Sequence, residues 1–178
     1  MIFRSFQTGL LFLFISSLFV IASETNEKQI ETKSSGYWTY YCKNYEKERQ
    51  CEIARKIHIK EQNETFLIIY KITKNVNLKV KESFNITTPP ATKVNIKKRL
   101  KISFDDKTKF TRSFLECEET ICLTVFKGSR MLKYSMKNFN EIKVIFYGFE
   151  DEEPISLTLP MEGFTQALDN INQQLKSF

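Results

Sequence analysis

Apolar and polar residues alternate along much of the chain after Gly36, and this period of two limits the fold more than any other feature. Alternation puts successive side chains on opposite faces of a β-strand, so that one face can pack on a core while the other meets water. The pattern predicts about eight short strands. The alternating segments are residues 37–42, 51–54, 57–59, 65–72, 75–81, 100–104, 121–126, 141–147 and 155–159.

The segment at residues 75–81 alternates without a fault. We expect Val76, Leu78 and Val80 to lie on a core face of an antiparallel strand, and Lys79 and Lys81 to lie on its solvent face. The two lysines would then share one exposed surface.

Two segments have helical spacing instead. Residues 129–139 carry apolar side chains three and four positions apart, which predicts a short helix. Between residues 163 and 178, Phe164, Leu168, Ile171 and Leu175 form one apolar stripe of an amphipathic helix, which should dock on the sheet. Because too few helices lie between the strands, a parallel α/β fold is excluded. The sequence predicts an all-β fold, an antiparallel β-sandwich with a short helix and a C-terminal amphipathic helix.

The N-terminal segment has the pattern of a secretory signal peptide. Arg4 precedes a 13-residue apolar run at residues 10–22, and we expect residues 1–22 to be removed by cleavage after Ala22. An uncleaved N-terminal anchor is the alternative. The polar residues 23–35 predict a disordered lead-in, and residues 36–178 predict a single folded domain.

The same segment bears on localisation. No later stretch approaches the roughly 20 apolar residues that span a bilayer, so we expect no transmembrane segment after signal cleavage. The mature protein should therefore be periplasmic or secreted.

Four cysteines, Cys42, Cys51, Cys117 and Cys122, follow the predicted signal peptide. An even number of cysteines in an exported chain predicts disulfides. Of the three possible connectivities we favour Cys42–Cys51 and Cys117–Cys122, because each of these pairs is close in sequence and the two pairs are far apart. Trp38, near the first pair, should lie in the core, whereas the neighbouring tyrosines could form an aromatic binding surface.

The composition argues against catalysis. The chain has one histidine, His58, and only five glycines, so multi-histidine metal sites and glycine-rich phosphate loops are excluded. His58 stands between two isoleucines in an alternating segment and should face solvent. The acidic run at residues 150–153 lacks the spacing of a calcium loop and predicts a solvated hairpin turn. We expect no catalytic residue, no cofactor and no metal, and therefore a protein that is not an enzyme. We also expect no nucleic-acid partner.

Charge is unevenly distributed along the sequence. Residues 71–101 contain nine Lys or Arg and one acid, while residues 141–170 contain seven acids and one lysine. If the basic segments are neighbours in a sheet, their fields sum into a patch that attracts anionic partners. The alternative is internal neutralisation by the acidic stretch. The predicted patch consists of Lys79, Lys81, Lys97, Lys98, Arg99 and Lys101.

Several landmarks together resemble the invasion-associated locus B family over roughly residues 36–175. They are Trp38-x3-Cys42, Cys51-Glu52, a basic strand, a turn at Asp105-Asp106, the pair Cys117 and Cys122, and the closing sequence at residues 155–168, ISLTLPMEGFTQAL. The resemblance implies an exported protein of Gram-negative bacteria with an immunoglobulin-like β-sandwich, from a family named for a locus linked to entry into host red cells. It implies no catalytic residues.

Two functional hypotheses follow. The first is an exported, non-enzymatic binding module that contacts a protein partner or an envelope component. The second is a surface adhesin or invasion factor that uses a basic face on anionic host-cell surfaces.

Overall fold

The computed structural model describes residues 32–59, 64–105 and 108–178. The strands are β1 (Lys33–Ser35), β2 (Trp38–Asn44), β3 (Glu48–Ile59), β4 (Glu64–Asn75), β5 (Val80–Thr88), β6 (Leu100–Ser103), β7 (Lys109–Arg112), β8 (Glu116–Cys117), β9 (Cys122–Lys127), β10 (Glu141–Tyr147) and β11 (Pro154–Pro160). The helices are α1 (Arg130–Asn138) and α2 (Phe164–Lys176).

The strands form two antiparallel sheets. A seven-stranded sheet has the order β1-β2-β3-β4-β5-β9-β8, and a four-stranded sheet has the order β11-β10-β6-β7. The predicted antiparallel, mostly β architecture with two helices is confirmed. Short hairpins keep the consecutive strands β1 to β5 side by side. An immunoglobulin domain instead has sheets of strands ABED and CFG, so immunoglobulin-like connectivity is not shown by this order.

The hydrophobic core lies on the inner faces of the sheets. Phe66 of β4 contacts Phe146 of β10 with 5.2 Å between ring centroids, so buried side chains of the two sheets meet in one core. Trp38 is fully buried, as predicted for a core residue. Tyr40 shares its face and is also buried, whereas Tyr37 is exposed.

Both predicted disulfides are confirmed. Cys42–Cys51 joins the paired strands β2 and β3, and Cys117–Cys122 joins β8 and β9. Disulfides persist in oxidising compartments and are rare in the cytosol, so these two suggest a location outside the cytoplasm.

Helix α2 docks on the inner face of the seven-stranded sheet, against β2 and β3. All four residues of its predicted stripe are buried. Phe164 makes edge-on contacts with the rings of Trp38 and Tyr70, at centroid distances of 5.2 and 5.6 Å. The predicted short helix is confirmed as α1, which begins after Ser129, whose side chain accepts a hydrogen bond from the amide of Leu132.

The start of α2 is held closely against the β1–β2 turn. Gly163 has φ = 86°, a conformation that only glycine adopts without strain. A Cβ at this position would lie 2.0 Å from the carbonyl oxygen of Ser35. The backbone of β1 therefore approaches the helix as closely as a glycine allows.

The predicted strand at residues 75–81 is wrong. Strand β4 ends at Asn75 and β5 begins at Val80, with a turn between them. The Asn75 side-chain oxygen accepts hydrogen bonds from the amides of Asn77 and Lys79, at 3.1 and 2.9 Å. Such local bonds compete with strand pairing. The three apolar residues placed on a core face, Val76, Leu78 and Val80, are exposed instead.

The predicted start of the fold at Gly36 is also wrong, because β1 already pairs with β2 from Lys33 onwards. Ser35 is buried and donates a 2.9 Å hydrogen bond to the side chain of Gln166. The polar residues of β1 gave no strand signal in the sequence, because this edge strand is stabilised by its pairing with β2. The predicted signal peptide, its cleavage site and the lead-in up to residue 31 lie outside the described residues. None of the described helices is long and apolar enough to cross a membrane.

Candidate functional site

The six cations of the predicted patch lie in two separate places. Lys79 and Lys81 flank Val80 at the start of β5, whereas Lys97, Lys98, Arg99 and Lys101 lie just before and within β6 of the other sheet. Lys93, in the connection before β6, pairs with Glu64 at the start of β4. Lys79 instead lies in the turn after Asn75, at the other end of β4.

The length of β4 separates these places. Strand β4 has 12 residues, which at about 3.3 Å per residue span about 36 Å. Because salt screens exposed charges beyond about 8 Å, the fields of the two groups do not sum. The condition for one patch is not met, and we treat Lys79 and Lys81 apart from Lys97, Lys98, Arg99 and Lys101.

The end of the molecule that carries residues 97–99 lies beside the acidic connection between β10 and β11. The Lys98 ammonium lies 4.0 Å from the Tyr147 ring centroid and 3.5 Å from the Glu152 carbonyl oxygen. The acidic run at residues 150–153 is the exposed connection between β10 and β11, which confirms the predicted hairpin turn. The acidic run thus lies beside Lys98, which is the placement that the alternative of internal neutralisation requires.

The opposite end is built from three segments, and we call it the basic end. It comprises the β2–β3 turn (residues 45–47), the β4–β5 turn (residues 76–79) with its flanking lysines, and the last turn of α2. The amide of Val76 donates a 3.0 Å hydrogen bond to the Lys47 carbonyl oxygen, which joins the two strand turns.

Two cations attach the end of α2 to this surface. Arg49 of β3 donates a 2.8 Å hydrogen bond to the Gln174 carbonyl oxygen, and Lys74 of β4 donates one of 2.8 Å to the Leu175 carbonyl oxygen. The last carbonyls of a helix have no partner within the helix and carry partial negative charge, so cations stabilise them. Arg49 and Lys74 therefore stabilise the fold, and the other lysines of the basic end do not take part in this contact.

The β4–β5 turn holds a leucine in an unusual backbone conformation. The amide of Leu78 donates a 2.9 Å hydrogen bond to the Asn75 carbonyl oxygen, and Leu78 has φ = 58°. Three-residue hairpin loops place their last residue in this left-handed region, where glycine is typical. A leucine there costs roughly 1–2 kcal/mol.

The basic end also exposes apolar side chains. Val76, Leu78 and Val80 have exposed fractions of 58%, 68% and 54%. Tyr45, on the adjoining turn, is exposed too, and the Lys43 ammonium lies 5.4 Å from its ring centroid. Grouped apolar side chains on a surface are a feature of interaction sites.

Lys79 and Lys81 stand among these apolar residues. Both are exposed, and neither has an ion-pair partner in the described part of the chain. Residues 74–81 contain three lysines and no acid. The turn therefore combines apolar surface with two lysines that form no direct ion pair among the described residues.

A groove of about 780 Å³ lies beside the turn, between β4, β5 and the two helices. Glu82 closes one side of it, where its carboxylate accepts hydrogen bonds from Tyr70 at 2.7 Å and Lys133 at 2.6 Å. Burial raises the pKa of the Tyr70 hydroxyl above its ordinary value, and the hydrogen bond to Glu82 raises it further. This cluster attaches α1 to the sheet.

The remaining sequence candidates do not form a catalytic arrangement with one another. His58 is exposed, as predicted, and lies 3.4 Å from the Thr65 hydroxyl. The Tyr41 hydroxyl donates a 2.5 Å hydrogen bond to Glu52, and burial together with this bond raises its pKa. Across the described ranges, no cluster of three His, Cys, Asp or Glu side chains could hold a metal ion.

Sequence reasoning identified the two lysines of the basic end but assigned its apolar residues to the core. The available signal was the spacing of Asn75 and Asn77, since asparagine favours turns and tolerates left-handed backbone. The involvement of Tyr45 and the end of α2 depends on tertiary contacts and has no local signal.

Comparison with known proteins settles the family. The model of the family described as "Invasion associated locus B (IalB) protein" matches residues 38–172 of the chain. The chain belongs to the IalB family. The resemblance found in the sequence is confirmed.

A solved structure gives independent support for the fold of this IalB family member. The crystal structure of invasion associated protein B from Bartonella henselae matches with a TM-score of 0.65 and 18% sequence identity, covering 82% of this chain and 99% of that chain. At this identity the likeness concerns the fold alone. No curated protein matches the chain.

Proposed function

We propose that this IalB family member is an exported, non-enzymatic binding module that contacts an envelope component or a protein partner. The observation that carries the proposal is the basic end, where exposed Val76, Leu78 and Val80 are interspersed with unpaired Lys79 and Lys81. The disulfides support export to an oxidising compartment, whether periplasmic or extracellular.

The proposal is tested by capture from envelope extracts on immobilised protein, with all four cysteines oxidised. Wild-type protein should retain a component that Lys79→Glu/Lys81→Glu fails to retain. Lys97→Glu/Lys101→Glu changes the charge equally at distant positions and is the matched control. Equal capture by both variants would contradict a binding role for the basic end, and capture of nothing by wild-type protein would contradict the binding module itself.

The alternative function is a surface adhesin or invasion factor that uses the basic end on anionic host-cell surfaces. It is favoured by the name of the similar Bartonella henselae structure, invasion associated protein B, and by the net charge of +6. The two functions differ in where the protein resides. Resistance to protease added to intact cells supports a periplasmic module, whereas digestion supports the adhesin.

A further inference from the structure

We propose that the basic end docks on an anionic phospholipid bilayer, with the β4–β5 turn entering the headgroup region. This inference rests on the proposed binding function and names the envelope component. It assigns Leu78 as the principal apolar contact and Lys79 and Lys81 as the principal charged contacts.

The shape of the site favours a bilayer over a folded partner. The exposed apolar side chains stand at the tip of a hairpin, next to the tip of a second hairpin that carries exposed Tyr45. Ligands of ordinary binding sites enter concave pockets, whereas a protruding tip must itself enter its receptor, and a fluid lipid interface can adapt to its shape. A lipid interface accepts protruding apolar groups and aromatic rings at headgroup level.

The alternation of residue types also fits a bilayer. Lys79 lies between Leu78 and Val80, and Lys81 follows. When the apolar side chains enter the interface, the long lysine stems can extend back to the phosphates. Residues 74–81 themselves contain no acid, and Glu46 of the adjoining turn is a single negative charge against several lysines, so acidic lipid headgroups complement the β4–β5 turn.

The backbone at Leu78 provides an independent argument. Its φ of 58° suits glycine or asparagine, yet the position carries a large apolar residue that is 68% exposed. Neither backbone preference nor core packing accounts for leucine there. An apolar contact outside the folded chain does account for it.

The test is cosedimentation with vesicles of equal parts phosphatidylglycerol and phosphatidylcholine, compared with vesicles of phosphatidylcholine alone. Wild-type protein should bind the anionic vesicles, and the binding should weaken as salt is raised. Each lysine near an anionic surface contributes a factor of about five in affinity, so Lys79→Gln/Lys81→Gln should weaken binding about 25-fold. Leu78→Asn removes one exposed leucine and should weaken binding to the anionic vesicles about tenfold or more.

Matched controls are available elsewhere in the chain. Leu115 is 69% exposed but stands beside Glu116, away from the basic end, so Leu115→Asn should leave vesicle binding unchanged. Lys97→Gln/Lys101→Gln removes the same charge as the double variant of the turn and should have less than a threefold effect. The folded state of each variant is checked by its melting temperature.

Equal losses in Leu78→Asn and Leu115→Asn, or equal binding to neutral and anionic vesicles, would overturn the assignment. Absence of vesicle binding, combined with capture of a protein from envelope extracts that depends on Lys79 and Lys81, would overturn the lipid inference and leave the proposed function standing. Absence of both kinds of binding would overturn both.

Discussion

Removal of the Phe164 ring should be among the most damaging single changes in the chain. The ring is fully buried and contacts both Trp38 and Tyr70, at centroid distances of 5.2 and 5.6 Å. Phe→Ala substitutions in cores cost about 3–5 kcal/mol, because the cavity left behind collapses only partly. Two edge-on aromatic contacts are lost as well, each worth about 0.5–1.5 kcal/mol beyond buried area. We therefore expect Phe164→Ala to lie at the upper end, near 5 kcal/mol.

Urea unfolding followed by tryptophan fluorescence measures this loss directly. Trp38 is the single tryptophan of the chain and lies against Phe164, so its emission reports the unfolding of this part of the core. A loss of about 5 kcal/mol lowers the melting temperature of a domain of this size by roughly 10–20 °C. Gln173→Ala, an exposed position of the same helix, is the control and should change stability by less than about 0.5 kcal/mol. Equally small effects of both substitutions would show that α2 is not docked as described.

Further predictions concern stability. Gly163→Ala should cost at least about 2 kcal/mol in urea unfolding, because φ is positive and the new Cβ meets the Ser35 carbonyl oxygen; a neutral result would refute this close approach. Because the folded-state pKa of Tyr70 is raised, the contribution of its neutral hydroxyl is complete below pH of about 10, the unfolded-state value, and is lost as pH rises further. The free energy of unfolding should therefore fall less steeply above that pH in Tyr70→Phe than in wild-type protein; identical slopes would exclude the effect. Leu78→Asn should raise stability by about 1 kcal/mol through relief of backbone strain, and a lower melting temperature would show that Leu78 packs within the fold. Peptide mapping without reductant should show only the two sequential disulfides, and their reduction should lower the melting temperature without abolishing the fold.

The sequence predicted secondary structure correctly where a segment had a single clear pattern of apolar residues, either the period of two of a strand or the spacing of a helix. Strand β10 (Glu141–Tyr147) has the predicted bounds, and the stripe from Phe164 to Leu175 is the buried face of α2. In both segments the side chains that pack on the core are the ones that set the pattern. The short edge strands β1 and β7 were not predicted, because their stability comes from pairing with a neighbour rather than from an apolar face.

The alternation at residues 75–81 was misleading for a physical reason. Two hydrogen bonds to the Asn75 side chain bend the chain into a turn, and these bonds outweigh a weak strand preference. The predicted patch failed as a single surface for a different reason. Sequence reports that Lys81 and Lys97 are 16 positions apart, but only the topology shows that strand β5 carries the chain to the other end of the sheet between them.

The central claim is that the basic end is the binding surface of this IalB family member. Hydrogen–deuterium exchange of the oxidised protein, measured with and without an envelope membrane preparation, tests it most directly. We predict slower exchange at the amides of residues 76–81 and no change at residues 93–99. Protection confined to residues 93–99, or no protection anywhere in the chain, would contradict the claim.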